Sequence, residues 1–194
     1  MKTQKIMGNA IVALALIAGT SFSALQASDV KYSYIEGRFI LDAEVDGSSS
    51  DGDGFNFGGS YRFKEDIYGC GSVDLVDFDN DVDVQLIEIG AGYIHPINTQ
   101  WDSNFTFSLL HSDVDFPGGS EDDTGFAISG GARGMVTPEI EARAKLTYAD
   151  IEDSDTFITL GGDYFFKSNL AVGVEADLAG DFETLSIGVR YFFN

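Results

Sequence analysis

From residue 32 to the chain end, apolar and polar residues alternate in short runs separated by Gly, Asp, Asn and Pro. A strand has a side-chain period of two, so each run carries one apolar face and one polar face. The last run shows this most clearly. Leu185, Ile187, Val189, Tyr191 and Phe193 point one way, and Thr184, Ser186, Gly188 and Arg190 the other. Ten runs read as strands: 32–41, 55–63, 67–76, 84–94, 100–111, 124–136, 140–148, 156–166, 170–178 and 184–193. In the fifth, Trp101, Phe105, Phe107 and Leu109 oppose Asp102, Asn104, Thr106 and Ser108. Most runs are near the roughly 9–11 residues that a tilted membrane strand needs.

The connections are of two kinds. Residues 64–66, 96–98, 137–139 and 167–169 are short turns, with Phe63, Tyr93, Trp101, Phe165 and Phe166 close by. Residues 42–54, 77–83, 112–123, 149–155 and 179–183 read as acidic loops, mostly longer. This rhythm predicts an all-β, antiparallel up-and-down transmembrane β-barrel of ten strands, with eight as the alternative. Closure is required because hydrocarbon cannot satisfy a sheet edge. The short turns and both termini then face the periplasm, and the acidic loops face outward. A soluble barrel would also alternate, but would turn its apolar face inward.

The first 27 residues read as a cleaved export signal. Lys2 and Lys5 precede a short apolar run at 10–19 and a small-residue region at 23–27, with the cut expected after Ala27. The apolar run is too short to span a hydrocarbon core of about 30 Å. The remaining domain, 28–194, is 167 residues long. Its one cysteine, Cys70, lies on a small-residue face and reads as filler, since no basic or His partner adjoins it.

The net charge of −21 is distributed unevenly. Six cations fall on inward faces: Arg38, Arg62, Arg133, Arg143, Lys145 and Arg190. Seven acids share those faces: Glu36, Asp74, Glu88, Glu141, Asp163, Glu175 and Asp177. Near balance predicts a lumen crossed by ion pairs and filled by its own side chains, with a narrow ion pathway as the alternative. The five acidic connections hold 20 of the 32 Asp and Glu residues and no Lys or Arg. They would repel anions and attract Ca²⁺, Mg²⁺ or basic partners, or simply remain solvated.

Site chemistry is sparse. Asp77, Asp79, Asp81 and Asp83 alternate, with Glu88 twelfth from Asp77, in the manner of an EF-hand loop. The required sixth-position Gly is Val82 here, so the expectation is at most weakly bound Ca²⁺ or Mg²⁺ and no other cofactor. Asp51-Gly52-Asp53-Gly54 is a still poorer candidate. His111, Ser112 and Asp113 lie near the outer mouth, where a hydrolase would need them, but three adjacent strand residues cannot converge on one substrate. No catalytic residue is assigned. There is no phosphate loop and no basic face for nucleic acid.

The Tyr32-Ser33-Tyr34-Ile35-Glu36-Gly37 opening, the regular hairpins and the Tyr191-Phe192-Phe193 end resemble the small outer-membrane β-barrel family of the OmpA/OmpX type. The resemblance covers 28–194 and lacks a periplasmic domain. It implies a Gram-negative outer membrane, contact with its lipid and lipopolysaccharide, and insertion by the barrel assembly machinery. That machinery reads a C-terminal aromatic strand, and here Phe193 is penultimate to Asn194. The expected role is structural or in surface interaction, with a small cation-preferring porin as the alternative class and a hydrolase as a third. The extracellular ligand is left open.

The face assignment is testable. Leu109→Arg places a cation in lipid and is expected to cost roughly 2–4 kcal/mol of membrane folding stability. Thr106→Arg, on the opposite face, should cost less. Equal losses in urea titrations of the refolded variants would refute the assignment.

Overall fold

The computed structural model describes residues 30–45, 51–78, 81–179 and 182–193. The expected signal segment and its cleavage site lie outside them. Ten strands form one sheet: β1 (Tyr34–Val45), β2 (Asp51–Lys64), β3 (Ile67–Phe78), β4 (Val82–Pro96), β5 (Trp101–Phe116), β6 (Gly119–Thr137), β7 (Ile140–Asp150), β8 (Ser154–Lys167), β9 (Leu170–Leu178) and β10 (Phe182–Phe192). Each pairs antiparallel with its sequence neighbours, and β1 pairs with β10 to close the barrel. Every backbone edge in the apolar zone is thereby paired, as hydrocarbon demands.

Side-chain parity follows the sequence. Large apolar residues such as Ile35, Phe57, Ile89, Phe107, Leu109, Ile128 and Val174 are exposed on the outer wall. Ser60, Asp102, Ser108, Arg133, Glu141 and Arg190 are buried inside. In a water-soluble fold this arrangement would be inverted. Here the outer face meets acyl chains.

Most strands run further toward the acidic end than the sequence reading has them, β1 to Val45 and β2 from Asp51 among them, and the first also starts later. The first strand begins at Tyr34, not at residue 32. Val30 to Ser33 instead run into the barrel mouth beside the short turns, where Val30, Tyr32 and Ser33 are buried. The extensions lie at the other end. The segment read as a loop at 112–123 is a paired hairpin, with Ser112 opposite Asp123 and Phe116 opposite Gly119. Likewise Asp77 and Asp83, read as ends of a loop, are directly opposed in the β3–β4 ladder.

Acidity misled the reading there, because the wall exchanges its faces as it leaves the membrane. On β3, outward Val73 and Leu75 give way to Asp77, while inward Ser72 and Asp74 give way to Val76 and Phe78. On β4, outward Ile89 and Ile87 give way to Gln85 and Asp83, and inward Glu88 to Leu86, Val84 and Val82. On β5, outward Leu109 is followed by His111, Asp113 and Asp115, and inward Ser108 by Leu110. Beyond the lipid, water takes the outer face and the apolar side chains turn to the concave one. The strands therefore continue, with their polarity reversed.

The reversal locates the membrane boundary. In a Cys70→Ser background, single Cys labels at residues 89 and 107 should be quenched from within the bilayer. Labels at 83 and 115 should be quenched from water. Identical behaviour at all four would refute the boundary.

Candidate functional site

The concentrated chemistry of the molecule lies in its lumen. Period two sends Glu36 and Arg38 inward together on β1, and Glu141, Arg143 and Lys145 inward on β7. Pairing then sets Arg190 opposite Glu36, Arg133 opposite Arg143, and Glu141 opposite Asp163. The last two are like-charge pairs, which destabilise a sheet when left alone. Diagonal contacts offset them. Arg133 Nη2 donates to both carboxylate oxygens of Glu141, at 2.7 and 2.9 Å. Arg143 donates to Asp163 and, at 2.7 Å, reaches Glu175.

Arg190 closes the circuit across the β1–β10 seam. Its Nη2 lies 2.8 Å from Glu36 and its Nη1 3.0 Å from Asp163. Arg38 reaches Glu36 at 2.9 Å and lies 3.8 Å from Glu175. Four arginines thus face four carboxylates, Glu36, Glu141, Asp163 and Glu175, over strands β6 to β1. Asp163 is the hub, shared by Arg143 and Arg190 with its side chain 1 % exposed. A charge buried so completely needs such partners, because removing it from water costs several kcal/mol. The Tyr34 ring adds a face beneath Arg190, 4.3 Å from its guanidinium carbon.

Glycines make room for this layer. Arg38, Arg143 and Asp163 lie directly opposite Gly188, Gly161 and Gly173. A Cβ at Gly188 would sit 2.6 Å from the Gly37 carbonyl and 2.5 Å from Arg38 Cγ.

Apolar clusters bound the layer at both ends. Toward the short turns, Val30 and Tyr32 pack with Tyr68 and Ile94. This strap is pinned by the Phe193 amide, which donates to the Ser33 carbonyl at 3.0 Å, and by the Arg62 amide, which donates to Ser33 Oγ at 3.2 Å. Arg133 stacks over the Tyr32 ring at 4.6 Å. Toward the acidic end, Ile40, Ala43 and Val76 pack together with Phe78.

The opposite wall carries neutral and acidic groups. Asn56 donates to Asp74 at 2.7 Å, Ser108 donates to Glu88, and Tyr68 shares a 2.5 Å hydrogen bond with Thr106. Back on the arginine-bearing wall, on β8 to β10, Thr159 and Thr184 donate to Asp177 at 2.5 and 3.2 Å. Lys145 lies in the field of Glu88, Glu175 and Asp177.

Of the six predicted inward cations, Arg62 departs from the pattern, because its guanidinium bonds the Lys64 and Glu65 carbonyls at a turn. Asp102, fully buried, belongs with the inward acids although the sequence tally omitted it. Its inward parity was the available signal.

The rim residues are arranged differently. Asp53, Asp77, Asp83 and Asp115 stand opposite one another across β2 to β5, a row of carboxylates on the outer face. Asp79 lies outside the described residues, and Asp81 takes a left-handed φ of 57° in the turn. Among the described residues no three acids, His or Cys are grouped as a metal site. His111 Nε2 is 3.4 Å from Asp113, and its Nδ1 is 3.2 Å from the Asp123 carbonyl. Ser112 has the opposite parity, so these three side chains do not assemble a nucleophile and its base. Cys70 is half-buried and free.

The family model of the outer membrane protein beta-barrel domain matches residues 12–193. No curated protein matches the chain by sequence. Among solved structures, the chain is similar to the KdgM porin at 15 % identity, covering 83 % of this chain and 99 % of that one, with a TM-score of 0.48. Ail, the attachment invasion locus protein of Yersinia pestis, is 19 % identical, with coverages of 83 % and 97 % and a TM-score of 0.44. The translocator domain of the autotransporter NalP from Neisseria meningitidis is 10 % identical, with coverages of 96 % and 95 % and a TM-score of 0.46.

Asp163→Asn should expose how far the lumen depends on its hub. Losing one partner of a buried network costs about 3–5 kcal/mol. Denaturant unfolding in micelles should show a loss of that order, and an unchanged midpoint would mean the ion pairs contribute nothing.

Proposed function

The chain belongs to the outer membrane protein β-barrel domain family, and from that premise we propose a non-enzymatic, integral protein of the Gram-negative outer membrane. Its lumen is filled by its own side chains, and its acidic rim serves surface interaction. The observation that carries this reading is the arginine–carboxylate layer linking six of the ten strands, with an apolar cluster at either end. Ten strands enclose little more space than eight, whose side chains fill the interior. Against catalysis stands the divergence of Ser112 from the His111–Asp113 pair.

The short turns and both termini are assigned to the periplasm, and the reversed-polarity wall to the exterior. In that orientation the outer aspartates stand level with lipopolysaccharide headgroups and attract Ca²⁺, Mg²⁺ or basic partners. Insertion falls to the barrel assembly machinery.

A second reading, a small cation-preferring pore, draws support from one feature. Beyond the arginine layer, Asp74, Glu88 and Asp177 outnumber the one inward cation there, Lys145. Planar-bilayer recording of the refolded protein separates the two. The filled-lumen reading expects no steady unit conductance, and sustained cation-selective currents would overturn it.

A further inference from the structure

Residues 30–33 lie outside the sheet, yet Val30, Tyr32 and Ser33 are buried. Their contacts come from all around the barrel. Ser33 is fastened to the Arg62 amide of β2 and to the Phe193 amide just after β10. Val30 and Tyr32 pack on Tyr68 of β3 and Ile94 of β4. Arg133 of β6 lies against the Tyr32 ring. Lys31 reaches the turn between β8 and β9, where its Nζ donates to the Ser168 carbonyl at 2.5 Å. A short segment with contacts on so many sides of the ring lies across the mouth beside the short turns.

The two sides of this contact differ in firmness. The floor is built into the sheet. Tyr68 shares its hydrogen bond with Thr106, and its ring lies on Gly92, where a Cβ would sit 2.3 Å from Tyr68 Cζ. The strap is built otherwise, because strand pairing begins only at Tyr34. Upstream of Ser33, side chains fasten it: the apolar packing, the Lys31 bond, and two guanidinium groups on the Tyr32 ring, Arg133 at 4.6 Å and Arg62 at 5.8 Å. A segment outside the ladder opens at a lower free energy than the sheet that supports it. Arg62 is the inward cation that the arginine layer leaves out. Its bonds to the Lys64 and Glu65 carbonyls set it beside the strap. Cys70, half-buried, packs against the same cluster.

We infer that residues 30–32 are a lid over the short-turn mouth, joined to β1 through Ser33, and that its opening, with the barrel intact, admits small solutes to the luminal face beside Cys70. Tyr32 is the latch, and Arg62 and Arg133 hold it closed. Lifting Tyr32 uncovers Tyr68 and Ile94 and removes an aromatic face from Arg133, which also pairs with Glu141 in the arginine layer. The lid thereby ties the state of the mouth to the layer. The inference goes beyond the filled-lumen reading, since it concerns access from one end and needs no conduction.

The test uses the whole refolded barrel in nanodiscs, with Cys70, the one cysteine of the chain, as reporter. The probe is a methanethiosulfonate carrying a trimethylammonium group, whose fixed charge keeps it out of hydrocarbon. Tyr32→Ala removes the latch and should speed Cys70 modification at least about tenfold over the parent. Arg62→Gln leaves the strap sequence intact and should speed it about threefold or more. Ile40→Ala, in the apolar cluster at the acidic end, should change it less than about twofold. Amide exchange along the β1–β10 seam should be the same in Tyr32→Ala as in the parent, which a lid requires and a loosened barrel does not allow. Heat-modifiable gel migration checks that every variant is a folded barrel. Rates within about twofold of the parent for both Tyr32→Ala and Arg62→Gln would overturn the inference. So would an equal gain from Ile40→Ala, which places the entrance at the other end, or faster exchange along the seam.

Discussion

A hydrocarbon surrounding offers no hydrogen-bond partner, and the rest of this structure answers to that constraint. It forces the sheet to close, so β10 must find β1. It also forces polar and charged side chains to the inside, where bulk water is scarce and they must satisfy one another. Arg38, Arg133, Arg143 and Arg190 are placed on four strands, and the register brings like charges face to face at Arg133–Arg143 and Glu141–Asp163. The diagonal contacts make this arrangement tolerable. Opposite the three network residues Arg38, Arg143 and Asp163, glycine leaves the space they fill.

Where hydrocarbon ends, the constraint ends, and the wall shows it. The same β3, β4 and β5 strands continue outward, yet their apolar residues move to the concave face and their aspartates to the outer one. Two solvents act on one strand. The exposed end of the barrel therefore behaves like an ordinary water-soluble sheet, with an acidic exterior and the Ile40–Ala43–Val76 cluster within.

This explains what the sequence could and could not tell. Strand number and facing were legible wherever one solvent acted along a whole run, and β9 was placed at its observed bounds, 170–178. The runs failed where polarity reversed. The stretch at 112–123 looked like a loop because its acids broke the expected alternation, although its backbone remains paired to Phe116. The inward charges were legible from parity, but their partners were not. Neither the contact of Arg190 with Asp163, two strands away, nor the turn-bound guanidinium of Arg62 follows from spacing. The strap of Val30 to Ser33 also escaped notice. Its alternation reads as strand, and its burial depends on Tyr68, Ile94 and Arg133, which lie far along the chain.

The central claim is that the lumen is held by mutually dependent charges, and a double-mutant cycle across the β8–β10 gap tests it most directly. Unfolding free energies of Asp163→Asn, Arg190→Gln and the combined variant would be compared with the parent in one micelle system. The account predicts that the double variant loses clearly less than the two single losses added together, with a coupling above about 1 kcal/mol. Losses that add to within about 0.5 kcal/mol would contradict it.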